Sequence, residues 1–268
     1  MLQDFRRRTT PDAGAARLRA LRAAMADAEV DAFLVPRADA HQGENVAPRD
    51  ERLAWLTGFT GSAGFAIAGR GRAAMFVDGR YRLQVRGEVD LACFEIRDLP
   101  EAKAADWLVE ALPGGGRVGF DPWLHTAAEI AALEEALARR QITLRRVENL
   151  VDRIWPDQPA PPAGAIAPHP DALAGRSAAD KRAELARGLA EADLAAMVLT
   201  LPDSIAWLLN IRGGDVARTP APLAFAVLYA DAGVDLIVEP ARIDADLAAA
   251  LGPEVRPRPP AAFGALLD

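Results

Sequence analysis

The sequence predicts an α/β fold built as two similar domains, each a mixed β-sheet flanked by helices. Three observations lead to this prediction. Helical and strand-like patterns alternate along the first part of the chain, a proline-rich segment then interrupts it, and the same order of patterns begins again. At 268 residues, 51% of them hydrophobic, the chain is long enough to form two domains of ordinary size.

The first domain is predicted over residues 1–155. A helix over 15–29 places Leu18, Leu21 and Met25 on one face, and the buried strand DAFLVP follows. Two further strands, SAGFAIAG and RAAMFVD, are joined by a tight Gly-Arg-Gly turn. The remaining elements are, in order, a helix from about residue 80, the strand ACFEIR, a helix over 103–112, the strand RVGFD, a helix capped by Thr126 and Glu129, and the strand ITLRRV.

Residues 156–175 are predicted to be a linker. The run PDQPAPPAGAIAPHP is rich in proline, which favours extended backbone and cannot continue a helix or a central strand. The prolines are Pro156, Pro159, Pro161, Pro162, Pro168 and Pro170.

The second domain is predicted over residues 176–268 as a repeat of the first. Ser177 and Asp180 cap a helix that precedes the strand LAAMVLT, which repeats the opening order of helix and strand. IAWLLNIRGGDV echoes LAWLTGFTGSAG, with Trp207 in the place of Trp55. LAFAVLYA and VDLIVEP then correspond to the two strands of the first domain, so a gene duplication accounts for both halves.

The carboxyl-terminal element is expected to be incomplete. After the strand-like PEVRP, PPAAFGALLD begins an amphipathic helix that stops within about two turns, with no C-cap glycine. We therefore expect the second domain to be cut short at this end, and the chain to be a fragment of a longer protein.

Composition and charge exclude several classes of function. A net charge of −7 disfavours a nucleic-acid partner, and the basic cluster at residues 6–8 is interpreted as a solvated arm. The single cysteine, Cys93, rules out an intramolecular disulfide and is predicted to be buried in a strand. The sequence contains neither an apolar segment of bilayer length nor a signal peptide, so no membrane partner is expected and a cytoplasmic location is predicted.

Residues that could perform catalysis are sparse. The three histidines are far apart and lack the spacing of a helical zinc site, and no nucleophile elbow or phosphate-binding lysine motif is present. Asp39, His41 and Glu44 share a loop after the first strand, and a metal site there is the weaker of two readings, the other being an ordinary polar loop. By motif, the chain contains no catalytic and no metal-binding residues.

Arg80 is the one candidate for a binding role. Asp78 and Gly79 end the strand RAAMFVD and place Arg80 at its carboxyl end, where ligands are commonly bound in open α/β sheets. A guanidinium presents a fork of donors that suits a carboxylate or a peptide carbonyl. The alternative reading is a residue at a helix N-terminus that pairs with Asp78 or with solvent.

Five segments resemble the amino-terminal part of Xaa-Pro aminopeptidases of the aminopeptidase P type, in the creatinase/prolidase superfamily. They are FLVPRADAHQGENVAPRDERLAWLTGFTGSAGFAI, AAMFVDGRYRLQ, DWLVEALPGGGRVGFDP, VENLVDRIW and IAWLLNIRGGDV. The resemblance implies a three-domain parent enzyme that removes an N-terminal residue preceding proline. Its third domain, of the "pita-bread" type, would hold two divalent metal ions, usually manganese.

The resemblance also assigns roles within this chain. All metal ligands and catalytic histidines of such enzymes belong to the third domain, so no position here inherits those roles, and we expect the chain alone to be inactive. The arginine of the DGRY motif contacts the peptide substrate in the family, and that residue is Arg80 here. The first domain resembles the part that pairs two subunits, which implies a homodimer.

Two alternatives remain open. The same fold could serve as a stand-alone binding module without catalysis, or the parent could be a prolidase or creatinase relative. The DGRY and NIRGGDV segments favour the aminopeptidase, because they match its longer form with two similar amino-terminal domains.

Overall fold

The computed structural model describes residue 9 and residues 11–268, so the basic cluster at residues 6–8 lies outside the described part. The chain divides into two compact units, domain 1 (Met1–Ala160) and domain 2 (Pro161–Asp268). Each contains its own mixed sheet and its own apolar cores. The predicted α/β class with two similar mixed-sheet domains is thereby confirmed.

Domain 1 is built on a six-stranded sheet with the order β4-β3-β2-β1-β5-β6. β2 runs antiparallel to both β1 and β3, whereas the β3–β4, β1–β5 and β5–β6 pairs are parallel. The strands are β1 (Ala32–Pro36), β2 (Phe65–Gly69), β3 (Ala73–Val77), β4 (Glu95–Asp98), β5 (Gly116–Phe120) and β6 (Ile142–Arg146).

Helices cover both faces of this sheet. Because successive side chains of a strand point to opposite faces, Phe33 and Val35 enter one core while Ala32 and Leu34 enter the other. The first core is covered by α1 (Gly14–Asp27), α2 (Arg52–Thr57), α3 (Arg82–Glu88) and α6 (Leu150–Ile154). The second core is covered by α4 (Ala104–Ala111) and α5 (Ala127–Leu137).

An ion pair between distant parts of the chain joins α2 to α6. Arg52 is 6% exposed and donates to both oxygens of Asp152 at 2.6 and 2.9 Å, and to Asp50 at 2.8 Å. The indole rings of Trp55 and Trp155 stack beside it at 5.2 Å. A planar fork that meets a carboxylate in this bidentate way fixes the angle between the two helices.

Domain 2 contains a four-stranded sheet with the order β12-β11-β10-β8 and a separate two-stranded sheet of β7 and β9. β10 is antiparallel to β8 and β11, and β11 is parallel to β12. The strands are β7 (Ile166–Pro168), β8 (Ala196–Leu199), β9 (Ile211–Gly213), β10 (Phe225–Tyr229), β11 (Val234–Ile237) and β12 (Val255–Arg258).

One face of the larger sheet in domain 2 is well covered, and the other is thinly covered. The main core joins the sheet to α8 (Ala178–Glu191), α9 (Pro202–Leu209) and α10 (Ala245–Leu251). On the opposite face, Val227 and Ile237 pack with Phe263 of α11 (Phe263–Leu267), whose ring stacks on Phe225 at 4.8 Å. One further helix, α7 (Asp171–Ala174), precedes α8.

A buried ion pair stabilises the loops of domain 2. The fully buried carboxylate of Asp215 accepts from Arg242 at 2.8 Å and from the backbone N–H groups of Gly164 and Leu223 at 2.9 and 2.6 Å. A buried carboxylate needs such partners because burial of an unpaired charge is costly.

Most sequence-predicted elements are present, including the reciprocal capping box of Thr126 and Glu129 and the Ser177 cap on Asp180. One residue and one segment differ from what the sequence predicted. Cys93 lies in the turn before β4, is only partly buried and donates to Asp90 at 3.2 Å, so the prediction of a buried strand cysteine was wrong. Within the segment 156–175, β7 pairs antiparallel with β9 and α7 follows it. A two-stranded sheet tolerates the proline at Pro168 because it has edges whose backbone groups need no partner.

Candidate functional site

The candidate site is the surface around Arg80, at the carboxyl end of β3. Asp78 ends the strand, and its side chain accepts from the backbone N–H of Arg80 at 2.9 Å, which caps a 3-10 turn over Gly79–Tyr81. This local turn, and not a continuing strand, carries the Arg80 side chain to the protein surface. The predicted position of Arg80 after β3 is confirmed.

The guanidinium of Arg80 is held in place yet exposed. Its Nη2 lies 2.7 Å from Asp78 Oδ2, its charge lies 5.1 Å from the ring centroid of Tyr81, and the side chain is 63% exposed. Hydrogen bonds from the Arg80 side chain hold the pKa of Asp78 below its usual value, so this carboxylate stays ionised at neutral pH. The exposed donors leave the guanidinium able to contact a ligand without first leaving its position.

Tyr81 is fixed by the glycine-rich loop that precedes β2. Its hydroxyl lies 2.6 Å from Ser62 Oγ, and its ring meets Phe59 edge-on at 5.5 Å. A Cβ on Gly61 would lie 2.2 Å from the Phe59 ring and 2.8 Å from the Tyr81 ring. Only glycine fits there, so the loop serves to let these two rings pack closely.

The same loop is anchored from α3. Glu88 is 7% exposed and accepts from the backbone N–H and the hydroxyl of Thr60 at 2.8 and 2.9 Å, and from Gln84 at 3.1 Å. Sequence reasoning found Arg80 but missed Ser62, Tyr81 and Glu88 as its supports. The only sequence signal for them is that Tyr81 directly follows Arg80.

The loop with Asp39, His41 and Glu44 is organised around its own backbone. Asp39 is 2% exposed, and its Oδ1 accepts from the N–H groups of His41 and Gly43 at 2.9 and 3.0 Å. Across residue 9 and residues 11–268, no group of three histidine, cysteine, aspartate or glutamate side chains is arranged to hold a metal ion. The geometry of this loop therefore favours the ordinary polar loop over a metal site.

Comparison with known proteins identifies the family. Models of the creatinase/prolidase N-terminal domain match residues 17–154 and residues 157–268. No helix within the described residues is both long and apolar enough to cross a membrane.

Individual relatives agree with this assignment. A protein of Neosartorya fischeri described as "Probable Xaa-Pro aminopeptidase P" is 37% identical over 249 residues, which are 91% of this chain and 38% of that protein. One from Ajellomyces dermatitidis with the same description is 36% identical over 258 residues, 94% of this chain and 41% of that protein. The chain thus spans about two fifths of the length of these curated relatives.

One solved structure is similar to this chain over most of its length. The X-prolyl aminopeptidase of Caenorhabditis elegans, described as a cytosolic enzyme with a di-nuclear active site, superposes with a TM-score of 0.88 at 26% identity. The match covers 95% of this chain and 43% of that enzyme. The chain belongs to the creatinase/prolidase N-terminal domain family and carries two such domains in succession.

Proposed function

We propose that this chain is the amino-terminal, non-catalytic portion of a metal-dependent Xaa-Pro aminopeptidase, and that Arg80 contacts the peptide substrate. The observation that carries the proposal is the exposed guanidinium of Arg80, held in one orientation by Asp78 and Tyr81. A positioned guanidinium loses little side-chain freedom when it binds a carbonyl or carboxylate of a peptide.

The metal chemistry of the proposal lies outside this chain. Two divalent ions, manganese in our proposal, would be held by the further domain of the parent enzyme and would supply the activated water. The 268 residues alone would then release no amino acid from a peptide with proline at its second position, with or without added manganese.

Two further parts of the proposal concern assembly and location. Leu83 of α3 is 90% exposed in domain 1, and a second copy of the protein would bury this apolar side chain, so we place homodimer contacts in this domain. Light scattering of the purified chain measures its molar mass and so tests whether a dimer forms. The proposed location is the cytoplasm, which matches the description of the C. elegans enzyme.

The test uses the parent enzyme with Arg80→Ala and a matched control, Arg82→Ala. Arg82 is also an exposed arginine, 49% exposed, but it pairs with Asp98 and Glu101 on the side of β4. With an Xaa-Pro-Pro peptide we expect Arg80→Ala to lower kcat/KM by about 10- to 150-fold, the loss of one charge-assisted contact. The metal content of the Arg80→Ala enzyme should equal that of the parent enzyme. The kcat/KM of the Arg82→Ala enzyme should also equal that of the parent.

The outcomes separate the proposal from its alternatives. An unchanged kcat/KM in Arg80→Ala would contradict a contact between Arg80 and the substrate. It would not contradict the aminopeptidase activity proposed for the parent enzyme. Manganese-dependent hydrolysis by the 268-residue chain, surviving repurification, would disprove its non-catalytic role. If the chain binds proline-containing peptides and is not part of a longer peptidase, it is a stand-alone binding module.

A further inference from the structure

The sheets of the two domains share one four-strand unit. β1, β2, β3 and β4 are paired antiparallel, antiparallel and parallel, and β8, β10, β11 and β12 are paired in the same order and directions. A 14-residue helix precedes the first strand in each case, α1 in domain 1 and α8 in domain 2. After the fourth strand, a helix follows in both, α4 and α11.

The two units differ at one edge. In domain 1, the side of β1 away from β2 is paired in parallel with β5, through Ala32 opposite Val118 and Phe33 opposite Gly119. In domain 2, no strand within residue 9 and residues 11–268 pairs with the corresponding side of β8. An open edge presents unpaired backbone groups that can bind another strand.

The hydrogen-bond pattern shows which groups of β8 face this edge. In antiparallel pairs, successive residues turn their backbone groups alternately toward and away from the partner strand. The N–H of Ala230 donates to the carbonyl of Ala195, so Ala195 faces β10. The N–H and C=O groups of Ala196 and Val198 therefore point to the open edge.

The side chains at the edge are also uncovered. Leu34 opposes Ile67 between β1 and β2, and Val198 opposes Val227 between β8 and β10, so these two residues occupy equivalent positions. Leu34 is 6% exposed and belongs to the core that includes Val118 of β5 and Leu137 of α5. Val198 is 44% exposed. Domain 2 lacks, within the described residues, the cover that β5 and α5 give to domain 1.

We propose that the open edge of β8 binds a parallel β-strand that lies after Asp268 in a longer form of this protein. The curated relatives contain polypeptide outside the matched region, since the match covers 38% to 41% of their length. Because α4 directly precedes β5, the strand that follows α11 is the occupant that the repeat predicts.

The repeat also fixes the register and the residue types. In domain 1, Val118 lies opposite Ala32 and Gly119 opposite Phe33. Ala196 and Met197 occupy the equivalent positions of β8, so we expect the incoming strand to place an apolar residue opposite Ala196 and a small one opposite Met197. A small residue is favoured in domain 1 because a Cβ on Gly119 would lie 3.2 Å from side-chain atoms of Phe33, Val147 and Val30.

Hydrogen exchange of single amides, measured by NMR, tests the proposal on the 268-residue chain and on the gene product extended past Asp268. In the short chain we expect Ala196 and Val198 to exchange rapidly while Met197 and Leu199, bonded to β10, are protected. In the extended chain, the Ala196 and Val198 amides should exchange at least about 100-fold more slowly, because pairing makes their opening depend on unfolding of the sheet. Ala32 and Leu34 of β1 are the internal control, protected in both forms.

The variant Val198→Lys provides a second measurement. It should leave protection of domain 2 in the short chain unchanged and should lower Ala196 protection in the extended chain by about tenfold or more. Leu201→Lys, at a residue 48% exposed just outside β8, is the matched control and should change neither. Rapid exchange of Ala196 and Val198 in the extended chain would overturn the proposal. So would protection in the short chain that rises with protein concentration, which would assign the edge to a second copy.

Discussion

Domain 1 buries both faces of its sheet, whereas domain 2 buries one face well and the other thinly. The second face of domain 1 packs Leu34, Ile67 and Phe76 against α4 and α5, while that of domain 2 packs Val227 and Ile237 against Phe263. The same four-strand unit therefore exists with a complete cover and with a partial one. Strand order and direction are set by the unit itself, whereas the burial of its second face depends on the elements added to it.

A second difference concerns charge between the third and fourth strands. In domain 1 the carboxylate is on β4, where Glu95 accepts from Arg72 at 2.7 and 2.9 Å. In domain 2 it is on β11, where Asp235 accepts from Arg256 at 2.9 Å and Arg258 at 3.0 Å. In each domain, a carboxylate at this parallel pair of strands accepts hydrogen bonds from arginine. The carboxylate lies on the fourth strand of the unit in domain 1 and on the third strand in domain 2.

The largest expected effect comes from truncating one aromatic ring in each second core. Phe76→Ala should lower the free energy of unfolding of domain 1 by about 3–5 kcal/mol, because Phe76 is fully buried and stacked on Phe65 at 4.5 Å. Phe263→Ala should lower the free energy of unfolding of domain 2 by about half as much. Fewer buried side chains surround Phe263, so its truncation leaves a smaller cavity. Exchange of the slowest amides in β3 and β11 measures the two losses separately.

Leucine at each position is the control for this comparison. Phe76→Leu and Phe263→Leu keep most of the apolar volume and should each lose less than the alanine variant. Equal losses in Phe76→Ala and Phe263→Ala would contradict the idea that the two second faces differ in packing.

The second prediction compares the two buried ion pairs. Asp215→Ala should destabilise domain 2 by about 3 kcal/mol, because it leaves the guanidinium of Arg242 unpaired with only 11% of its side chain exposed. Asp152→Ala should cost domain 1 less, since Asp152 is 27% exposed and Arg52 keeps Asp50 as a partner. Urea unfolding followed by circular dichroism measures both.

The double variant Asp215→Ala/Arg242→Met separates charge from packing. Removing the unpaired cation should restore part of the lost stability. A double variant less stable than Asp215→Ala would show that Arg242 acts through other contacts, such as its bond to the carbonyl of Gly164 at 2.8 Å.

The smallest effect is a pH dependence of domain 1. Hydrogen bonds from Arg72, with Arg97 and Trp107, lower the pKa of Glu95 to about 2 against the opposing effect of burial. Because the pKa is lowered on folding, this stabilisation is complete above the ordinary value of 4.5 and is lost as the pH falls toward 2. Glu95 is 35% exposed, so screening reduces the contribution to about 1 kcal/mol.

Glu95→Gln tests this dependence. The variant should be less stable than the parent near neutral pH and should lose less stability between about pH 5 and pH 2. Domain 2 is the internal reference, because the pKa of Asp235 is also lowered there, by Arg256, Tyr229 and Arg258, despite burial. A Glu95→Gln chain with the same acid dependence in domain 1 would exclude Glu95 as its source.

Local signals predicted much of the fold. The caps at Thr126 and Ser177, and the Asp78-Gly79 step that ends β3, depend on residues within three positions of each other and were visible in the sequence. The short helices α2 and α9 were not predicted, because six and eight residues give too little periodicity.

Long-range contacts could not be predicted from the sequence. Arg52 and Asp152 are 100 positions apart, and neither residue lies in a pattern that indicates the other. At the candidate site, Arg80 was predicted from its place after a strand. The packing of Tyr81 and Phe59 over Gly61 became evident only in three dimensions.

The placement of the aromatic residues gives the two domains separate optical reporters. Trp207, 51% exposed, is the one tryptophan of residues 161–268, whereas the other four lie in residues 1–160. Two of those, Trp55 and Trp155, are stacked, so their excited states should couple. A Trp207→Phe chain would emit tryptophan fluorescence from domain 1 alone, and its difference spectrum against the parent chain would isolate the tryptophan emission of domain 2. The lysine ammonium of Lys181, 4.7 Å from the Trp207 ring, makes that emission sensitive to any movement of α8 against α9.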